Sequence, residues 1–193
     1  MNALLLAAML VADAEGAKVE RLPAACVGRS LDLDRIVASG RCFVTDEPRP
    51  PPDAAAIGIE LSPKKLKVRS GDTGRVTITL RNLTAAPLSL DVQDDCAYGF
   101  EPMLFAGNDT FRESPGVAGR SCNRILVRIR LAPRGVARIH VPVSATKTLY
   151  AEGEPIDAGA YKLVVNTPFF APVPGSNDKE TRQATGELTV VDR

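Results

Sequence analysis

The sequence contains no tryptophan and a single histidine, His140, among its 193 residues. A blue-copper site needs two histidines and a cysteine, and one histidine with dispersed cysteines is a poor zinc set. A Ser-His-Asp triad would have to use His140, and the chain has no Gly-x-Ser-x-Gly elbow. No glycine-rich phosphate-binding loop is present either. The sequence therefore favours a protein that is not an enzyme and that uses no metal and no cofactor.

The chain also lacks an excess of either charge and lacks any long apolar run. Its formal net charge is +1 at pH 7, whereas a protein that works chiefly by binding nucleic acid needs a strong basic excess. No apolar run reaches the roughly 18 residues that can span a bilayer. We therefore expect no nucleic-acid partner and no transmembrane span.

Residues 1–14 combine a short apolar run with a small-x-small ending. Residues 4–11 are apolar, and residues 12–14 (Ala-Asp-Ala) have the pattern of a signal-peptidase site. No Lys or Arg precedes the run, so the segment could instead be a buried helix or strand. A lipoprotein-type cleavage site at 22–26 fits less well, because Pro23 stands where Leu is expected. We expect a periplasmic or secreted protein, or a cytoplasmic one if residues 1–14 are not a signal peptide.

Four dispersed cysteines are present: Cys26, Cys42, Cys96 and Cys122. An even count behind a possible signal peptide predicts two disulfides. Three pairings are possible. The sequential pairing, Cys26 with Cys42 and Cys96 with Cys122, is favoured because each pair brackets one irregular segment. The alternative is four reduced thiols in a cytosolic protein.

Fifteen prolines, fifteen glycines and short alternating segments are typical of an all-β protein. Residues 125–143 alternate strictly, and they predict a β-hairpin with its turn at residues 132–135. Pro168 and Pro172 predict an edge at which ladder pairing stops. Seven to nine strands are expected within residues 57–193. Besides the hairpin, they are expected at 57–61, 66–68, 75–82, 88–92, 100–105, 159–165 and 186–191.

The chain divides into four parts on composition. A possible signal peptide (1–14) precedes a Cys-containing segment (15–46), within which residues 31–37 fit either a helical turn or a short strand. Residues 47–56 include three consecutive prolines and predict an extended linker. Residues 57–193 carry the remaining strands.

Three stretches within residues 57–193 resemble bacterial immunoglobulin-like domains. They are Ser70-Gly71-Asp72 leading into 76–80 and Asn82, 131–135 leading into 139–143, and 158–165. The resemblance implies an immunoglobulin-like antiparallel β-sandwich with a Cys-bracketed N-terminal appendage. The chain lacks the buried Trp of antibody domains. The cysteine pair of those domains lies on two core strands, whereas Cys96 and Cys122 bracket a loop. Adhesin modules, periplasmic accessory domains and bacterial intracellular proteinase inhibitors share this pattern of strands and turns, so the fold does not determine the function.

Two groups of side chains are candidates for contacts with a partner. The first is a row of arginines expected on one face of the hairpin, which either attracts an anionic partner or is balanced by carboxylates. The second is a set of phenylalanines in the long segment 93–123, which either pack beneath it or form a binding surface. The candidates are Arg128, Arg130 and Arg138, and Phe100, Phe105 and Phe111.

The sequence thus predicts an exported, non-enzymatic binding or structural module. Its expected partner is a protein or an anionic surface polymer. The alternative is a protease inhibitor resembling the bacterial intracellular proteinase inhibitors, which would offer an exposed loop to a protease.

Overall fold

The computed structural model describes residues 22–45, 49–94, 99–107, 110–111, 125–147, 154–172 and 179–192. These residues form two β-sheets and one short α-helix, which confirms the prediction of a mostly β protein. The elements are β1 (Val27–Asp32), α1 (Leu33–Ser39), β2 (Phe43–Val44), β3 (Ile57–Ser62), β4 (Lys65–Arg69), β5 (Thr73–Asn82), β6 (Leu88–Asp94), β7 (Glu101–Ala106), β8 (Thr110–Phe111), β9 (Ile125–Ser144), β10 (Gly159–Pro172) and β11 (Lys179–Val191). Among the described residues, nine of these strands, β3 to β11, lie within residues 57–193, where seven to nine were expected.

The first sheet is built around β9, its longest strand. Its main order is β1-β9-β5-β3, and β2 and β6 also pair with β9. On one side, β5 covers residues 136–144 of β9 and β6 covers residues 125–131, both antiparallel. On the other side, β1 is parallel to β9 and β2 is antiparallel. Two pairs of shorter strands therefore lie end to end along one central strand.

The predicted hairpin at 125–143 is wrong, because β9 runs through the expected turn as one strand. Between the pairs Gly28–Leu131 and Ser30–Val136, five residue steps in β9 face two in β1, so residues 132–135 form an irregular bulge. Arg134 has φ 57° there, and its guanidinium donates a hydrogen bond to the carbonyl of Leu83. A Pro-Arg-Gly sequence serves a bulge as well as a turn, and the partner strands decide between the two.

The strict alternation of residues 125–143 predicts one buried face, and this face is confirmed along β9. Alternate side chains on both sides of the bulge are buried, from 0 to 1% exposed. They are Val127, Ile129, Leu131, Ala137, Ile139, Val141 and Val143. The alternation therefore gave the correct faces although the connection was wrong.

The second sheet has the order β4-β11-β10-β7-β8. Strand β4 is parallel to β11, and the other pairs are antiparallel. With β1–β9, this makes a parallel pair in each sheet, so the sheets are mixed rather than wholly antiparallel. The pairing stop predicted at Pro168 and Pro172 is found on one side of β10, where pairing with β7 ends at Asn166, and is wrong on the other side. After a register shift between Asn166 and Phe170, β10 continues to pair with β11 as far as Pro172.

Buried side chains from both sheets form one hydrophobic cluster. The first sheet supplies Ile57, Leu61, Val76, Ile78, Leu80, Leu90 and the buried face of β9. The second supplies Leu104, Tyr161, Leu163, Val165, Leu188 and Val190. Burial of each large aliphatic side chain stabilises the fold by about 1.5–3 kcal/mol. This shared cluster fixes which face of each sheet points outward.

Residues 22–45 add an edge to the first sheet. Cys26 and Cys42 form a disulfide with a Cα–Cα distance of 5.8 Å, which confirms the first predicted pair. Both cysteines belong to the shared hydrophobic cluster. Cys96 and Cys122 lie outside the described residues, as do residues 1–14. Residues 31–37, left open by the sequence, end β1 and begin α1, whose first turn is capped by the Asp32 carboxylate accepting from the Arg35 backbone N–H.

Of the predicted linker 47–56, residues 49–56 are described. The backbone N–H of Arg49 donates to the Asp91 carboxylate at 2.8 Å, which attaches this segment to β6. At its other end, the Arg182 guanidinium donates to the carbonyls of Ile57, at 2.7 Å, and Ala54. Burial lowers the pKa of Arg182, and the charge of Asp53 opposes that effect. The division into an N-terminal segment, a linker and a larger domain stays a prediction.

Within the described part of the chain, no helix is both long enough and apolar enough to cross a membrane.

Candidate binding groove on the second sheet

A row of side chains crosses the outward face of the second sheet. Lys162 of β10 lies opposite Phe105 of β7 on one side and Glu187 of β11 on the other. Glu187 in turn lies opposite Lys65 of β4. Neighbouring strands are about 4.8 Å apart, so the four residues span roughly 14 Å. We call Phe105, Lys162, Glu187 and Lys65 the cross-strand row.

The cross-strand row borders an open groove of about 640 Å³. Small residues and backbone form much of the groove wall, and hydroxyl groups are contributed by two threonines. Besides the row, the groove is lined by Lys64, Gly107, Ala160, Tyr161, Thr185, Gly186, Leu188 and Thr189. The groove therefore presents ammonium, carboxylate and hydroxyl groups beside one aromatic ring.

The strand alternation explains why these side chains are exposed. Tyr161 and Leu163 point into the shared core, so Lys162 between them points outward. Leu188 and Val190 are likewise buried, and they leave Glu187 and Thr189 on the outer face. The same alternation that builds the core thus places the polar groups in the groove.

The turn between β3 and β4 brings Lys64 and Lys65 to the groove. The Lys64 carbonyl accepts a 2.8 Å hydrogen bond from the backbone N–H of Glu187. A Cβ at position 186 would lie only 2.8 Å from that carbonyl oxygen, so the turn approaches β11 closely because residue 186 is glycine. Gly186 is therefore a positioning residue for this side of the groove.

The charged groups of the groove are held by contacts within the protein. Lys65 Nζ lies 3.0 Å from a carboxylate oxygen of Glu187, and Lys64 Nζ donates to the carbonyl of Thr185 at 3.2 Å. Lys162 Nζ is 6.0 Å from the centre of the Phe105 ring, near the outer limit of a cation–π contact. Among the described residues that line the groove, three ammonium groups and one carboxylate give a positive balance. The groove is suited to a ligand with acidic and hydrogen-bonding groups.

Arg128, a predicted contact residue, is not on an exposed face. Its side chain is 2% exposed, and it forms a two-pronged ion pair with Asp91 at 2.7 and 2.8 Å. Asp91 lies directly opposite Arg128 in the register of β6 and β9. The carboxylate thus compensates the buried charge, and Arg128 is unavailable to a partner.

The other two arginine candidates of β9, and His140 on the same strand, remain partly or fully exposed. Arg130 is half-buried and donates to Ser89 at 3.3 Å, and Arg138 is exposed and donates to Ser30 at 3.2 Å. Nδ1 of His140 is 2.7 Å from a carboxylate oxygen of Asp34 in α1. Among the described residues, no group of three or more His, Cys, Asp or Glu side chains is placed to hold a metal ion. Of the arginine row predicted from the sequence, Arg128 is buried, whereas Arg130 and Arg138 are partly or fully exposed.

The three predicted phenylalanines have separate positions. Phe100 is fully buried and belongs to the shared core, so it is unavailable for contact. Phe105 is half-buried and lines the groove. The backbone of Phe111 pairs with Phe105, and its side chain lies outside the described residues. Of the side chains described among these three, that of Phe105 lies at the groove.

The lysines, the glutamate and the threonines of the groove were not among the residues predicted from the sequence. Alternation in 159–165 and 186–191 could have marked Lys162 and Glu187 as outward-facing. It could not have shown that they are opposite each other, nor that Lys65 is next in the row. Those relations depend on the strand register and on the parallel pairing of β4 with β11.

No protein-family model and no curated protein matches this chain. Among solved structures, it is similar to a β-glucosidase from Listeria innocua in complex with isofagomine, at 14% identity and a TM-score of 0.36. That match covers 69% of this chain and 16% of the other. A GH3 β-glucosidase from Bifidobacterium adolescentis matches at 17% identity and a TM-score of 0.30, over 68% of this chain and 17% of that one.

A third solved structure, of AvmM, is described as catalysing macrocyclization in alchivemycin A biosynthesis. It matches at 11% identity and a TM-score of 0.28, over 76% of this chain and 95% of that one. This chain spans less than a fifth of the length of the two β-glucosidases. At these TM-scores, none of the similarities bears on function.

Proposed function

We propose that this protein is an exported, non-enzymatic binding module that contacts a protein or an anionic surface polymer. The groove on the second sheet is the contact site. The observation that carries this proposal is the cross-strand row together with the neighbouring Lys64. Lys162, Lys65 and Lys64 place three ammonium groups on an open surface beside Phe105. Positive groups held on a rigid sheet attract and orient an acidic partner.

The proposed architecture of the module is immunoglobulin-like. Its support is the order in which the chain visits the two sheets. Strands β3 and β5 lie in the first sheet, β7 in the second, β9 in the first, and β10 and β11 in the second. Strand β4 crosses to the second sheet directly after β3. Such alternation between two sheets fits a sandwich built from crossing connections.

Export from the cytoplasm is supported by the Cys26–Cys42 disulfide. Disulfides persist in oxidising environments such as the periplasm and the cell exterior, and they are rare in the cytosol. Detection of the bridge in protein isolated under alkylating conditions from its native cells, by intact mass, would be the direct check.

Binding to envelope material from the native cells tests the proposed function. We expect the labelled protein to bind this fraction saturably, and the variant Lys162→Glu to bind about tenfold more weakly, a loss of roughly 1.4 kcal/mol. Lys67→Glu is the matched control, because Lys67 lies on β4 next to the groove but does not line it. Protease treatment and periodate treatment of the fraction identify the partner as protein or polymer.

Two results would contradict the proposal. One is the absence of saturable binding by the unmodified protein. The other is equal binding by Lys162→Glu and the unmodified protein, which would place any contact elsewhere on the molecule.

The protease-inhibitor alternative stays a prediction. No contact among the described residues favours it, so we keep it only as the subject of an assay. Inhibition of a subtilisin-like protease by the intact protein would support it, and complete digestion without inhibition would reject it.

A further inference from the structure

We infer that the groove takes an acidic polysaccharide, a chain of sugar residues that carries carboxylate or sulfate groups. This inference rests on the proposed function and narrows it to one class of partner. It depends on three features of the groove, which are its alternating charges, its aromatic ring and the paired state of the strands beneath it.

The charges of the cross-strand row alternate in sign. Lys162, Glu187 and Lys65 occupy successive strands, and Glu187 and Lys65 are in direct contact at 3.0 Å. A carboxylate accepts hydrogen bonds and an ammonium group donates them. Adjacent sugar hydroxyls both donate and accept, so they match this neighbouring pair. A ligand recognised by negative charge alone would be repelled by Glu187.

The hydroxyl groups of the groove extend the same chemistry. Thr185 and Thr189 flank Glu187 on the outward face of β11, and both line the groove. Hydroxyls can donate or accept as the ligand requires. The side of the groove formed by β11 therefore offers a continuous series of polar groups rather than a single charged point.

An acidic sugar also needs an apolar surface for its ring and a cation for its acidic group. Phe105 and Lys162 supply these two contacts. The half-buried ring of Phe105 offers an apolar surface to the C–H face of a sugar, at the end of the row. The Lys162 ammonium, 6.0 Å from the ring centre, lies where it can hold an acidic substituent of the same or the next sugar. One position thus receives both the ring and the acidic group of an acidic sugar.

A peptide fits the groove less well. Strand β10 is paired with both β7 and β11, and β11 is paired with both β10 and β4. Their ladder groups are therefore used, and a peptide cannot add a strand within the groove. Peptide recognition by side chains needs apolar anchor pockets, whereas the described residues that line the groove include two aromatic residues, of which Tyr161 is buried and Phe105 is half-buried.

The test compares an acidic polysaccharide with an acidic polypeptide on the intact protein. Polygalacturonate, dextran sulfate, neutral dextran and poly-L-glutamate are titrated by calorimetry at low salt and at 0.15 M salt. We expect polygalacturonate or dextran sulfate to bind at least fivefold more tightly than poly-L-glutamate at equal charge concentration. The stronger of the two identifies the acidic group, and neutral dextran should bind at least tenfold more weakly.

The variant Glu187→Ala gives the decisive readout. It removes a negative charge, so it should strengthen binding of any ligand held by charge alone. If the carboxylate accepts sugar hydroxyls, the variant should instead weaken polysaccharide binding at least fivefold. Phe105→Leu should weaken polysaccharide binding similarly while leaving poly-L-glutamate binding unchanged. Thermal unfolding of both variants checks that the fold is retained.

The outcomes separate this inference from the proposed function. If poly-L-glutamate binds as tightly as the polysaccharides, and Glu187→Ala strengthens both, the polysaccharide inference is overturned and the charged groove remains a contact site. If no probe binds while Lys162 still governs binding to envelope material, the inference also fails alone. If envelope binding does not depend on Lys162 either, both fail.

Discussion

At the residue scale, Asn82 joins three parts of the first sheet. Its side chain is fully buried, and its Nδ2 donates to the carbonyls of Ala86 at 2.8 Å and Ala132 at 3.0 Å, with a longer contact to Leu131. Its Oδ1 accepts from the backbone N–H and the hydroxyl of Thr84. One amide thus connects the end of β5, the loop before β6 and the bulge of β9.

We expect Asn82→Ala to lower the free energy of unfolding by about 1–3 kcal/mol, because it removes a fully buried amide together with its hydrogen bonds to the carbonyls of Ala86 and Ala132. Urea denaturation measures the change. Gln183→Ala is the control, since Gln183 is exposed, and it should change stability by no more than about 0.5 kcal/mol. Equal effects of the two substitutions would show that the Asn82 network contributes little.

The buried pair of Arg128 and Asp91 gives a second prediction at this scale. Arg128→Met leaves the Asp91 carboxylate buried without its cation, so we expect a loss of about 3–5 kcal/mol. The double variant Arg128→Met with Asp91→Leu removes both charges and should recover most of that loss. Chemical denaturation of the two single variants and the double variant measures the coupling. A double variant that merely adds the two single effects would contradict it.

At the element scale, the turn between β3 and β4 fits against β11 only because position 186 has no side chain. We expect Gly186→Ala to displace the Lys64 carbonyl, to destabilise the protein by about 1–3 kcal/mol and to weaken binding at the groove. Gly159→Ala is the matched control in β10, where the nearest atom to the added Cβ would be 3.7 Å away. Similar loss of binding in both variants would argue against a specific role for the turn.

The disulfide acts on the same scale, since it closes the segment that contains β1, α1 and β2. A bridge over a sequence separation of 16 is expected to stabilise the fold by about 3 kcal/mol on the loop-entropy model. The variant Cys26→Ala with Cys42→Ala should lose at least that amount, because both side chains are also buried. Denaturation of this variant beside the unmodified protein measures it. An unchanged midpoint would mean that β-sheet pairing alone holds the segment.

At the scale of the whole molecule, the N-terminal segment and the two sheets share one buried cluster. Cys26, Leu31, Leu33, Ile36 and Cys42 belong to the same cluster as the residues buried between the strands. Calorimetry on the intact chain should therefore show one cooperative transition, with equal calorimetric and van't Hoff enthalpies. Two separate transitions would show that the segment unfolds independently.

The sequence by itself determined the class of the fold and which side chains face inward. Alternation in β5 and on both sides of the β9 bulge is a local property, because successive side chains on a strand point to opposite faces. It therefore gave the correct buried face of β9 even where the hairpin was wrong. The Cys26–Cys42 pairing was also predictable from the sequence, because the two residues bracket a short segment.

Only the tertiary structure decided which strands are neighbours. Residues 132–135 could form a turn or a bulge, and the placement of β5 and β6 end to end along β9 selects the bulge. Arg128 looked exposed until the register placed Asp91 opposite it. The groove depends in the same way on residues far apart in sequence, with Lys65, Phe105, Lys162 and Glu187 aligned across four strands. Register between distant strands is set by the packing of the whole core, which no local pattern contains.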